Sequence, residues 1–170
     1  MLRFFETRWQ LLLIVLLSLA LAGTLAFFGI LGRTADAPSS DGRARLLLTN
    51  TERDFVLNEM RHLLMATREI VDAAVAGDMA RVAVAARKVG MADVQSIPLE
   101  IRGPLIGKLP VEFKRLGFGV HEGMDAIALD AEGLGDRDHT LRQLAELMGK
   151  CVACHATYTV LPANQGEQRP

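Results

Sequence analysis

One long stretch near the start of the chain lacks charged residues, whereas charges are spread evenly after it. Gln10 to Gly32 carries no charge, and the 22 residues Leu11–Gly32 are almost all apolar. As a helix they would rise roughly 33 Å, about the hydrocarbon thickness of a bilayer. The stretch therefore predicts an N-terminal transmembrane helix. The alternative is a cleaved signal peptide, with Leu11–Leu19 as its apolar core and Ala20-Leu21-Ala22 as its cleavage site.

The residues before this stretch indicate its orientation. Arg3 and Arg8 are basic, and Phe4, Phe5 and Trp9 are aromatic. Bases tend to stay on the cytoplasmic side of a membrane, and aromatic rings prefer the headgroup level. Both interpretations of the N-terminus therefore place residue 40 onward across the membrane, which for a bacterial inner membrane means the periplasmic side.

The next apolar pattern repeats every three or four residues, which is typical of an amphipathic helix. It predicts a helix from a capping Thr51 to about Ala76, ended by Gly77. The predicted inner face consists of Val56, Met60, Leu63, Thr67, Ile70 and Ala74. The neighbouring series is mostly polar and consists of Asn58, His62, Met65, Glu69 and Asp72.

Three further helices are predicted over Asp78–Val94, Pro110–Ala131 and Asp138–Tyr158. Between the first two of these, Ile97–Pro110 contains three prolines and two glycines, which predicts a long connection rather than a buried element. No stretch alternates apolar and polar residues over five or more positions, so a sheet is not expected.

The predicted fold class is therefore all-α, an antiparallel four-helix bundle preceded by an N-terminal transmembrane helix. The predicted organisation is an anchor or signal peptide over residues 1–33, a linker over 34–50, one helical domain over 51–160 and a flexible tail over 161–170. The linker prediction rests on the Ala, Ser, Pro, Asp and Gly content of Thr34–Arg43.

Composition and charge narrow the choice of partner. The chain is 50% hydrophobic with an aromatic fraction of 5%, and the hydrophobic excess is concentrated near the start. The net charge is −1, and acids slightly outnumber bases beyond residue 36. No basic stripe that would bind polyphosphate is evident, so nucleic acid is not expected as a partner.

Both cysteines of the chain lie in Cys151-Val152-Ala153-Cys154-His155, the pattern of covalent haem attachment. On a helix, residues three apart share a face, so both thiols can add to the two vinyl-derived carbons on one side of a porphyrin. His155 then follows as the proximal iron ligand. The motif predicts one covalently attached haem c, bound through Cys151, Cys154 and His155.

Three other chemistries use similar residues. A thioredoxin-type redox pair would be expected at a strand-to-helix junction, and this motif lies late in a helical chain. A zinc site needs a fourth ligand, and His62, His121 and His139 show no paired spacing with the motif. A disulfide across two intervening helical residues is geometrically strained.

The chain from about Thr51 to Tyr158 resembles the class II cytochromes c, the family of cytochrome c prime and cytochrome c556. Gly149–Tyr158 is close to the family's Gly-x-Cys-x-x-Cys-His-x-x-Tyr ending, and the turn Val75–Asp78 follows the first bundle helix. In this family a first-helix residue faces the sixth coordination position of the iron. The resemblance implies that this residue is Met60.

Other residues are weaker candidates for that position. Met65 lies in the polar series, and Met124 and His121 lie on the third bundle helix. His62 and His121 are expected to be partly exposed surface residues. One departure concerns Thr159, which stands where family members usually place a basic residue near the proximal face, and this weakens the transfer of gas-binding behaviour.

The resemblance implies a monohaem electron carrier with His155 and Met60 as axial ligands, and the apolar N-terminus implies that it is tethered to the membrane on the periplasmic side. An enzyme such as a peroxidase is not expected, because the sequence offers no distal His–Arg pair to cleave a peroxide bond. The carrier's expected partners are membrane or periplasmic redox proteins, with membrane lipid around the N-terminal helix, and a homodimer through the first two bundle helices is left open. Two alternatives are a five-coordinate, high-spin haem module that binds NO or CO and a non-redox assembly subunit. Signal cleavage would leave a soluble periplasmic protein.

Overall fold

The computed structural model describes residues 2–30, 32 and 34–162, with side chains described for residues 8–25, 32 and 34–160. The described chain is mostly helical. Helix α1 (Leu2–Ile30) is long and apolar enough over Arg8–Leu25 to be a membrane span or a signal sequence. The predictions for Arg33, for residues 163–170 and for the side chains of Arg3, Phe4 and Phe5 lie outside the described residues.

Helix α2 (Asn50–Val75) begins two residues earlier than a cap at Thr51 would allow. Its cap is Thr49, because Glu52 stands three residues later and completes a capping box. The Glu52 amide donates to Thr49 Oγ1 at 3.3 Å, and the Thr49 amide donates to Glu52 Oε2 at 2.8 Å. The chain then turns at Gly77, whose φ of +72° favours glycine.

The predicted second bundle helix is divided into α3 (Met79–Arg87) and α4 (Met91–Ser96). At the break, Asp125 Oδ2 of the later helix accepts a hydrogen bond from the Met91 amide at 2.9 Å, so a tertiary contact starts α4. A Cβ on Gly90 would fall 1.9 Å from Asp125 Oδ1, so this approach requires glycine.

The prediction that Ile97–Pro110 is only a connection is wrong. Helix α5 (Leu99–Lys108) occupies most of it, despite Pro104 inside the helix. Leu105 and Leu109 are 6% and 8% exposed and pack in one cluster with Phe113. Burial of these side chains outweighs the poor helix propensity of proline and glycine, which is the reason the sequence pattern was misleading.

Helices α6 (Val111–Gly133) and α7 (Arg137–Thr157) confirm the last two predicted helices to within about two residues. Glycines do not interrupt α6. A Cβ on Gly123 would lie 2.9 Å from Leu147 Cδ1, so this glycine allows α6 and α7 to approach closely. The buried stripe of α7 includes Leu144 and Leu147, whereas the neighbouring Met148 is 47% exposed.

Two short strands correct the expectation of a fold without a sheet. β1 (Ala44–Leu48) pairs in parallel with β2 (Tyr158–Pro162), with Ala44 opposite Tyr158 and Leu48 opposite Pro162. Leu46 and Leu48 are each 1% exposed. The predicted linker is therefore wrong for residues 44–48, and the predicted tail is wrong for residues 161–162. Each strand pairs with a segment more than 100 residues away in the sequence, so no local pattern indicated either strand.

Helices α2, α3, α6 and α7 surround a core in which half of the sixteen buried residues are alanines. Helix α6 packs against α3 and α7, and α2 also packs against α3 and α7. A second, smaller cluster contains Val56 of α2, Phe113 of α6 and Leu46 of β1, with Cys154 of α7 packed against it. The Cys151–His155 motif thus lies at the end of the domain where β1 and α5 cover the helices.

Candidate cofactor site

Helix α7 presents the cysteine and histidine motif at one end of the domain. Its start is capped by Asp136, which accepts hydrogen bonds from the Asp138 and His139 amides at 2.9 and 3.0 Å. Near its other end, Lys150 Nζ donates to the Gly119 carbonyl of α6 at 2.9 Å. These contacts hold the helix at both ends, so the motif after Lys150 has a defined position against α6.

The two thiols lie on adjacent turns of α7 and are both free. Cys154 is half-buried, and Cys151 and His155 are exposed. All three residues line one cavity. The motif therefore opens onto a space that a cofactor attached through both thiols would enter.

The cavity is mainly apolar and open to solvent. Its volume is ≈ 180 Å³, below the range of about 300–1,000 Å³ typical of closed ligand sites. Helices α2, α4, α5, α6 and α7 all contribute to the walls. The apolar lining includes Phe55, Leu63, Val94, Leu105, Phe113 and Leu116.

Met60 of α2 lines the same cavity as Cys151, Cys154 and His155. It is half-buried and packs against the cluster that contains Val56. The structure thus brings together all four residues that the sequence singles out for the site. Iron ligation by Met60 and His155 stays a prediction.

The other candidate ligands are placed differently. Met124 is fully buried in the alanine-rich core, Met65 is 59% exposed, and His62 is exposed, with its Nδ1 3.8 Å from Glu59 Oε1. His121 is partly exposed, as expected. It also lines the cavity, and its Nδ1 is within hydrogen-bonding distance of the Val89 carbonyl, at 2.8 Å.

A smaller cavity of ≈ 100 Å³ lies on the Tyr158 side of the motif. Met60, Phe113, Cys154 and His155 line both cavities. The Tyr158 ring packs edge-to-face on Phe113, with ring centroids 5.4 Å apart at 82°. The four shared side chains therefore lie between the smaller and the larger cavity.

Arg43, in the segment before β1, lines the smaller cavity. Its NH1 donates to the carbonyls of His155 and Tyr158 at 3.2 and 3.4 Å. Its NH2 lies 2.7 Å from Asp41 Oδ2, which also accepts from its Nε at 2.8 Å. No pattern in the sequence indicated this contact, because it joins residues 112 positions apart.

Burial raises the pKa of both thiols. For Cys154 it acts together with the nearby Cys151 and raises the pKa to about 11 from the usual 9.0. Burial also raises the pKa of Cys151, against the opposing charge of Lys150. The pKa of the Glu59 carboxyl in the cavity wall is raised as well, first by burial and then by Asp93. The two thiols and the Glu59 carboxyl are therefore shifted toward their neutral forms.

The raised pKa of Cys154 predicts slow alkylation in the haem-free chain. The thiolate is the reactive form, and a pKa about two units higher leaves about 100-fold less of it at pH 8. We expect iodoacetamide to modify Cys154 about 100-fold more slowly in the folded chain than in urea, with a rate that keeps rising toward pH 11. Mass spectrometry of digested samples measures this rate, and equal rates in buffer and in urea would contradict the expected pKa.

Two cations also line the cavity. Arg102 of α5 donates through NH1 to the Val94 carbonyl at 3.2 Å, and Lys114 lies on α6. Both side chains are half-buried. No sequence pattern indicated Arg102, because its segment is predicted to be a connection, and no motif around Lys114 on the predicted third helix indicated that residue. Leu105 and Leu109 are one helical turn apart, and this apolar spacing could have predicted a helix in the α5 segment.

Within residues 8–25 and 34–160, no three His, Cys, Asp or Glu side chains converge in a way that could hold a metal ion.

No protein-family model matches the chain, and neither a curated protein nor a solved structure shows significant similarity to it.

Proposed function

We propose that this protein is a membrane-tethered, periplasmic, monohaem c-type cytochrome that transfers electrons and is not an enzyme. The observation that carries the proposal is that Cys151, Cys154 and His155 open onto the same cavity as Met60, on the opposing helix α2. A covalent haem needs two thiols and a proximal imidazole together, and an electron carrier also needs a second axial ligand.

The residues of the cavity suit a haem. A porphyrin is a large, flat and mainly apolar group, and the walls supply apolar side chains such as Leu105 and Phe113. Its two propionates are carboxylates, and the wall contains two cations, Arg102 and Lys114, that would pair with them. The thiols of Cys151 and Cys154 would form the thioether links.

The roles of the protein groups follow from this placement. The His155 imidazole and the Met60 thioether would hold both axial positions, so that a change of oxidation state requires little rearrangement. The apolar walls would favour the oxidation state of lower charge, which is the ferrous one. Bound haem supplies the one-electron couple between ferric and ferrous iron. One electron enters from a donor, and the same electron leaves to an acceptor.

The fold proposed here is an antiparallel four-helix bundle of the class II cytochrome c type. It is formed by α2, α3, α6 and α7, with α4, α5 and the two strands as additions. One cluster joins the beginnings of α2 and α6, at Val56 and Phe113, to the end of α7, at Cys154. The other cluster joins later residues of α2 and α6, Ile70 and Ile127, to an earlier residue of α7, Leu144. Helix α7 therefore runs opposite to α2 and α6, which supports an antiparallel arrangement. A homodimer stays a prediction.

The proposed location follows from helix α1. If it remains in the inner membrane, the domain is confined near membrane redox proteins, which raises its effective concentration at these partners. If it is cleaved as a signal sequence, the same domain serves soluble periplasmic partners. The mass of the N-terminal peptide of the purified protein distinguishes these two forms.

A pyridine haemochrome assay combined with an absorption spectrum of the membrane-extracted protein tests the proposal. We expect one covalently bound haem per chain and a low-spin spectrum with a far-red methionine–iron charge-transfer feature. A covalent haem with a high-spin ferric spectrum would contradict the electron-carrier function and favour the NO- or CO-binding alternative. Protein that has passed through haem maturation and still lacks haem would overturn the whole proposal.

A further inference from the structure

We propose that the segment Thr34–Leu48, here called the strap, forms part of the haem site, with Arg43 as a positioning residue for His155. This inference rests on the proposed function. The strap is held firmly by the domain, because its strand β1 pairs with β2 along five residues and buries Leu46 and Leu48. The Thr34–Leu46 bridge and the bond from the Ala35 amide to the Arg45 carbonyl fold its first half back onto the strand.

Arg43 acts on the helix end that carries the proximal ligand. The last carbonyls of an α-helix lack partners within the helix, and a cation near them is favourable. Helix α7 ends at Thr157, so the carbonyl of His155 is one of these groups. The Arg43 guanidinium supplies its hydrogen bond, and a second bond to Tyr158 spans the junction between α7 and β2.

Asp41 fixes the guanidinium in this position. It accepts hydrogen bonds from Arg43, and Ser39 Oγ donates to Asp41 Oδ1 at 2.5 Å, so the strap orients its own arginine. Hydrogen bonding to Arg43 and Ser39 lowers the pKa of the Asp41 carboxyl, which therefore stays ionised across the usual pH range. The Arg43 side chain remains about one-third exposed, so solvent partly screens its charge.

Two effects on the haem follow. The hydrogen bond restrains the backbone of His155 and with it the orientation of the axial imidazole. If haem binds through His155, loss of the guanidinium would leave the Asp41 carboxylate unpaired on the His155 side of the site, which would stabilise the more positive ferric state and lower the reduction potential. With partial screening, we expect removal of the charge to shift the ferric-to-ferrous ratio at a fixed applied potential by about three- to tenfold toward ferric.

The strap offers a matched control. Arg45 carries the same charge two residues later, and its Nε donates to the Ala37 carbonyl within the strap at 2.9 Å. The experiment compares full-length R43M, R43K and R45M with the wild type. It measures the midpoint potential of the haem-loaded protein and the amide hydrogen exchange of residues 154–160 in the haem-free chain.

We expect R43M to lower the midpoint potential and to speed exchange at the end of α7. R43K should retain most of the potential, because the charge remains, and R45M should match the wild type in both measurements. An R43M variant that matches the wild type would overturn the inference. Equal effects of R43M and R45M would also overturn it, because they would indicate a general role of the strap.

The proposed function and this inference fail in different ways. If the wild type binds no haem, the proposed function is wrong, and hydrogen exchange in the haem-free chain still decides whether Arg43 holds the end of α7. If the wild type binds haem with His155 as ligand and R43M changes neither measurement, only the role of Arg43 is wrong. If R43M does not fold, R43K is compared with R45K, because both variants keep the positive charge and only R43K removes the guanidinium that donates to the His155 carbonyl.

Discussion

Replacement of both Cys151 and Cys154 by alanine is expected to abolish covalent haem attachment completely. In the proposed attachment each thiol would supply one thioether bond, and the chain contains no other cysteine. Any porphyrin that entered the cavity of the double variant would be held only by non-covalent contacts. Denaturing electrophoresis with a haem stain, together with a pyridine haemochrome assay, measures the loss directly.

The two single-cysteine variants and a substitution between the cysteines provide the controls for this experiment. C151A and C154A should each retain at most one thioether, visible as a shifted haemochrome band. Val152 lies between the cysteines and is 69% exposed, so V152A should load haem as the wild type does. Haem that stays covalently bound in the double variant would show that the motif is not the attachment site.

Replacement of Met60 by alanine is expected to have the second largest effect. If Met60 is the distal ligand, truncation to alanine leaves His155 as the sole axial ligand from the chain. The iron should become high-spin, and the far-red methionine–iron feature should disappear. Absorption spectra of the ferric protein before and after the substitution give the readout, while the covalent attachment stays intact.

Met65 provides the matched control for this substitution. It lies on the same helix and is 59% exposed, and it lines a different groove together with His62. M65A should leave the spectrum unchanged. A wild-type spectrum in M60A would exclude Met60 as a ligand, and a change in H121A instead would assign the distal position to His121, which lines the same cavity.

Much of the fold was readable from local patterns. The predicted boundaries of α2, α6 and α7 agree with the structure to within about two residues, because caps, periodic apolar residues and turn glycines act over one or two helical turns. The inner stripe of α2 was also predicted correctly at Val56, Ile70 and Ala74, which are buried.

The errors arose where a distant part of the chain supplies the stabilising contact. Gly90 ends the continuity of the second helix because Asp125 approaches it from α6. Leu105 and Leu109 keep α5 helical by burial in the cluster around Phe113. Residues 44–48 become a strand because residues 158–162 lie beside them.

For the candidate site, the sequence by itself determined which reactive side chains are presented together. The spacing of Cys151, Cys154 and His155 on one helix is a local property, and it specifies which groups are presented together. The periodicity of α2 likewise placed Met60 on the inner stripe. These features depend only on the geometry of a single helix.

Only the tertiary structure decided which residues surround that chemistry. It brought Met60 and His121 to the same cavity as the motif, supplied Arg102 and Lys114 in its wall, and placed Arg43 on the carbonyl of His155. Each of these contacts joins elements that are distant in sequence, and its position depends on how whole helices and strands pack. No local pattern of residues contains that information, because close packing of the complete domain sets these distances.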